Sequence, residues 1–167
     1  IYFRDSWLMQ ELFLAYQLPI IFLHVISAVV WVGGMVAMRY GAHQSFLLIE
    51  SPQKRLEHIL YALKRLFYIV LPFVITLFVT ALFLIKGYDF ADGTQKIVVH
   101  IKEGIWSVMF VNLLLMIKRR SKSEMLLHKG DMLGAKNQLE PIGKYMVPLN
   151  ILLGITAIFV GVVIEVL

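Results

Sequence analysis

The stretch LHVISAVVWVGG, Leu23–Gly34, sets a single imidazole inside an otherwise apolar run. That run extends from Leu18 to Met38, and roughly 20 apolar residues suffice to cross a bilayer. An ionisable ring in hydrocarbon is costly, so His24 needs a polar partner or a function. The same dozen residues therefore point to a membrane span and to a candidate site within it.

Working outward, three further apolar runs follow: Leu66–Ile85, Ile97–Ile117 and Ile142–Val166. With their flanks the spans cover 12–40, 58–86, 96–117 and 142–166 of one domain, 1–167. Of the 167 residues 59% are hydrophobic and only 16% charged, with a mean hydropathy of +0.77, which places the chain among integral membrane proteins. Alternation of period two is absent, so helices are the structure available in lipid. The expected fold is all-α: an up-down-up-down membrane bundle of four helices. There is no cysteine, which excludes disulfides, thiolate metal sites and thiol nucleophiles.

The net charge of +5 does not indicate nucleic acid, because the cations gather in two loops. Arg39, Lys54, Arg55, Lys64 and Arg65 lie between the first and second spans. Lys118, Arg119, Arg120, Lys122, Lys129, Lys136 and Lys144 lie between the third and fourth. The loop KGYDFADGTQK is balanced. Both basic loops are expected in the cytoplasm and both termini outside, in a bacterial inner membrane. Ser51 and Pro52 suit a helix N-cap and first helical position. The segment before the fourth span is polar and basic. It is expected to lie along anionic headgroups, broken at Gly130 and Gly134.

Of five histidines, His43, His58 and His128 fall in the basic loops, without metal-ligand spacing. His24 and His100 fall within spans that run in the same direction. His24 lies six residues past Leu18 and His100 three past Ile97; at about 1.5 Å per residue the offset is roughly 4–5 Å. Small neighbours accompany both: Ser27 and Ala28, then Trp31, beside His24; Gly104 and Ser107 beside His100. Two imidazoles at similar depth with small neighbours suit a haem b whose iron takes one ligand from each helix. Glu103 projects near His100, with Lys102 about 200° around the helix, so Lys102 either snorkels outward or meets an anionic group such as a propionate.

Other readings of the same residues stand beside this one. A histidine in a span can bond a neighbouring helix and do no more. Gly33, Ala37 and Gly41, and likewise Gly154, Ala157 and Gly161, form small-residue ladders of the kind that pack helices. Met35 and Met38 are soft enough for copper, although methionine at helical spacing commonly packs. Pro148 frees a carbonyl in the fourth span, and Asn150 is a candidate to satisfy that region. No phosphate loop or zinc-protease motif is present.

The first span, LHVISAVVWVGGMVAMRYGAH, resembles that of the bacterial four-helix protoporphyrinogen oxidases, the HemJ family, through His24, Trp31, Gly34, Arg39 and His43. His100, Ile101 and Lys102 are similar to that family's His-x-Lys at the start of its third span. The WVGG segment also resembles the copper-resistance D family. The likeness implies a haem b-binding oxidoreductase, with Lys102 and Arg39 meeting substrate carboxylates and a quinone or redox protein taking electrons. MRYGAH is offset from the oxidase pattern, VPLN stands where it has Asn-Glu-Pro, and LLLMIKRR lacks its histidine. Haem binding thus carries over further than porphyrinogen oxidation. The expected cofactor is haem b held by His24 and His100, with Ser27, Trp31, Gly104, Lys102 and Arg39 around it. A copper-handling transport protein and a non-catalytic membrane subunit are the alternatives, and a homo-oligomer fits any of them.

Overall fold

The structure, a computed structural model, describes residues 2–88 and 93–166, with side chains at 11, 13–88, 93 and 96–163. Among the described residues it is all-helical. Helix α1 spans Tyr2–Val36, followed by a π-helical turn, Ala37–Ala42, and a short α2, His43–Leu47. Then come α3, Pro52–Gly87, and α4, Thr94–His128. A short α5, Met132–Pro141, leads through a second π-helical turn, Ile142–Met146, into α6, Val147–Val166. Four of the helical stretches are long and apolar enough to cross a membrane.

Local chemistry sets the boundaries. Ser51 accepts from the Lys54 N–H and Pro52 opens α3, as its sequence indicates. Pro19 lacks an N–H and its ring crowds the preceding turn; α1 kinks there, with Tyr16 at φ −121° and ψ 21°. Gly130, at φ +81°, ends the long α4. Gly134 does not break the chain as expected. It lies within α5, where its N–H donates to the Asp131 side chain at 2.8 Å, an N-cap that the sequence reading passed over. Helices α3 and α4, of 36 and 35 residues, reach roughly 50 Å at about 1.5 Å per residue. A hydrocarbon core is about 30 Å thick, so each is longer than a span requires.

Packing runs α1 against α3, α3 against α4, α4 against α6 and α6 against α1, a closed ring that sets α1 and α4 at opposite corners. The core holds Trp31, Met35, Val70, Val74, Leu113 and Met116. Outside it, Leu18, Phe22, Ile75, Leu152 and Phe159 are exposed, an apolar exterior suited to lipid contact.

Polar ties hold the ring at defined heights. Asn112 donates to Asn150 Oδ1 at 2.7 Å and to the Met146 carbonyl at 2.8 Å, and Asn150 donates to the Met109 carbonyl at 3.2 Å. Asn150 thus serves α4, not the backbone freed near Pro148. Nearer the basic end, buried Arg120 donates to the Leu60 carbonyl and pairs bidentately with Glu124. Ser123 donates to the Ala135 carbonyl at 2.8 Å, fastening α5 to α4.

The two small-residue ladders behave differently. Gly33 and Gly41 have no neighbour where a Cβ would project, so that ladder faces outward. Gly154 is a true close approach: a Cβ there would sit 2.4 Å from Val32 Cγ2.

Candidate functional site

His24 occupies α1 just past the Pro19 kink, partly buried against α3. Its Nδ1 lies 2.9 Å from Oγ1 of Thr80, a residue that is 5% exposed. The Thr80 hydroxyl has one proton, and two carbonyls of its own helix lie within its reach, Thr76 at 2.8 Å and Leu77 at 3.1 Å. With that proton on either carbonyl, the hydroxyl accepts from His24 Nδ1–H; the His24 ring also bonds the Leu77 carbonyl. In the tautomer with its proton on Nδ1, the neutral imidazole has its lone pair on Nε2, the state that a metal ligand or a proton acceptor requires.

Lys102 turns inward from α4. Its Nζ lies 2.9 Å from the point a Cβ on Gly161 would occupy, and its charge is within electrostatic range of the His24 ring. Four helices thus contribute to one polar region: His24 from α1, Thr80 from α3, Lys102 from α4 and the bare backbone of Gly161 from α6.

His100 is not brought to His24. Its side chain is 64% exposed and its Nδ1 pairs with Glu103 Oε2 at 2.8 Å. Gly104, with open space around it, and exposed Ser107 share this outward face. The cause is the register of α4. Val99, Lys102, Trp106, Met109, Leu113, Met116, Arg120 and Ser123 form its inward stripe at alternating spacings of three and four, and His100 lies off that stripe.

The remaining expected site residues divide between two places. Ser27 is 1% exposed and donates to the Leu23 carbonyl at 2.6 Å, so its hydroxyl is spent on its own helix. Trp31 is 1% exposed within the core, and among the described residues its Nε1–H has no acceptor. Arg39 lies fifteen residues beyond His24, roughly 22 Å along a helix. It borders a cavity of about 730 Å³ at the basic end, together with Met38 and His43.

Thr80 was missed from sequence. In the run VTALFL it is an ordinary intrahelical threonine, and nothing marks it as the partner of a residue 56 positions away. The cavity was missed because neither π-helical turn has a sequence signature.

Among the described residues, no group of three or more His, Cys, Asp or Glu side chains could hold a metal ion. For a haem, the residues supply one oriented imidazole, at His24, and one inward cation, at Lys102. Of these, His24 would hold the iron and Lys102 would face an anionic group of the cofactor; the outward His100 ring does not fit as a second ligand across the bundle. In comparison with known proteins, no family model, no curated protein and no solved structure matches this chain.

Proposed function

We propose that the chain is a multi-pass membrane redox protein that binds haem b, with His24 Nε2 as the iron ligand from within the bundle. Lys102 is the counter-charge for a propionate. The observation that supports this is the His24–Thr80 bond, which engages Nδ1 and, with the ring proton there, presents the Nε2 lone pair. A ligating histidine characteristically donates its second ring N–H to a fixed acceptor, which holds the ring and raises its basicity. His100 is left outside the site.

The spans run up-down-up-down, with the basic loops in the cytoplasm of a bacterium and both termini outside. Antiparallel pairings of Gln17 with Tyr88, His24 with Thr80, and Asn112 with Asn150 support the alternation, and the cations gathered in two loops support the orientation. Electrons pass to a quinone or a redox protein. The enzymatic form of the proposal is oxidation of a porphyrinogen-like substrate, which rests on the resemblance in the first and third spans.

Copper handling is the weaker reading. Met35 is almost wholly buried among apolar side chains, where it packs; Met38 borders the cavity at the basic end, fourteen residues from His24, roughly 21 Å along a helix. Pyridine haemochrome analysis of the purified protein tests the proposal. Near-stoichiometric haem b supports it, and a colourless protein that retains copper overturns it in favour of metal handling.

A further inference from the structure

Both π-helical turns open onto the cavity at the basic end. In the first, His43 N–H reaches back five residues to the Met38 carbonyl. In the second, Val147 N–H reaches back to the Ile142 carbonyl. Each extra residue widens a turn and resets the side chains around it, a device frequent at functional sites. Here the turns bring Met38 and Arg39 to one wall and Gly143 and Lys144 to another. Nothing lies within 4 Å of a Cβ placed on Gly143, so the wall is open there.

The lining has two chemistries. Its floor is apolar: Leu56, Ile59, Leu63, Leu139 and Val147. Its rim holds Arg39, Arg55, Lys136 and Lys144, with His43, against the single carboxylate of Glu140. Arg55 uses Nε and Nη2 on the Ile49 carbonyl and keeps Nη1. The groove sits at the basic end, near where the apolar runs Leu18–Met38 and Ile142–Val166 meet the basic segments, the height that headgroups would take in a bilayer spanned by those runs.

We propose that this groove binds one anionic phospholipid, its phosphate on the cationic rim and the start of an acyl chain on the apolar floor. A soluble anion would use the rim and leave the floor idle. A zwitterionic lipid would leave the excess of cations uncompensated. The cavity's 730 Å³ or so falls within the range of about 300–1,000 Å³ usual for small-ligand sites. Its role is to fasten α5 and the ends of α1 and α6 to the bilayer surface, independently of any group bound at His24.

The test is native mass spectrometry of the delipidated full chain titrated with phosphatidylglycerol or phosphatidylcholine. One phosphatidylglycerol should bind at least about tenfold more tightly than phosphatidylcholine. Each rim charge removed should weaken it about fivefold, read in Arg39→Gln and Lys144→Gln together, and in Lys136→Gln alone should the double variant not fold. Gly143→Leu, which fills the groove and keeps every charge, should lower occupancy by both lipids. Lys118→Gln with Lys122→Gln, exposed cations outside the groove, should change nothing. Equal binding of the two lipids overturns the proposal. So does an equal loss in the Lys118/Lys122 control, which would mean diffuse surface charge, or displacement of the lipid by millimolar inorganic phosphate.

Discussion

His24 and Thr80 join α1 to α3 through one hydrogen bond, Nδ1 to Oγ1 at 2.9 Å. The threonine hydroxyl also reaches the Thr76 and Leu77 carbonyls of its own helix, so it is set to accept from the ring, and the bond fixes where the ring points. An imidazole that merely filled space would need no such constraint.

Thr80→Val keeps the shape and removes the acceptor. Loss of a partner to a ligating histidine typically costs 10–100-fold in metal affinity. Haem titration of the apo-protein should show a weakening of about that size, with Thr80→Ser close to the parent. If Thr80→Val binds haem as the parent does, the bond has no part in a site.

The Asn112–Asn150 pair should show measurable coupling. Across a double-mutant cycle of Asn112→Ala and Asn150→Ala, read by reversible unfolding in mixed micelles, a coupling of about 0.6–1.7 kcal/mol is expected. Additive effects would mean that the amides act through their backbone partners alone.

Two glycines in α1 and α6 give opposite expectations. Gly154→Ala places a methyl against Val32 and should destabilise the bundle by about 1–3 kcal/mol, with partial rescue by Val32→Ala. Gly33→Ala projects into open space within α1 and should leave the bundle as stable as the parent or more so, by up to about 1 kcal/mol. A reversed order would mean that α1 packs by its other face.

Much of the fold is legible in the sequence, and part of the site is not. Hydropathy places all four spans, and Ser51-Pro52 marks the start of α3, because each is a local signal. The facing of His100 is not legible from its neighbours, because Gly104 and Ser107 suit an interior slot and a lipid-facing surface equally. The stripe from Val99 through Lys102 to Ser123 was present in the sequence as a heptad. Its phase would have turned Lys102 inward and His100 outward. Thr80, by contrast, had no local signal, since its role depends on how α1 and α3 are aligned.

The topology has a direct check in cells. Cysteines at Lys54 and Lys122 should resist a membrane-impermeant thiol reagent, and one at Asp92, outside the described residues, should react. The opposite pattern would put the basic ends, and the lipid groove with them, on the outer side.

The most direct measurement of the central claim is the absorption spectrum of the purified protein beside His24→Ala and His100→Ala, at matched protein and haem supply. A haem held through His24 predicts a Soret band in the parent that is lost or strongly altered in His24→Ala. It also predicts that the band survives in His100→Ala, whose ring faces outward and bonds Glu103. An unchanged band in His24→Ala would contradict the account, since the one imidazole that the bundle orients would then not be the ligand.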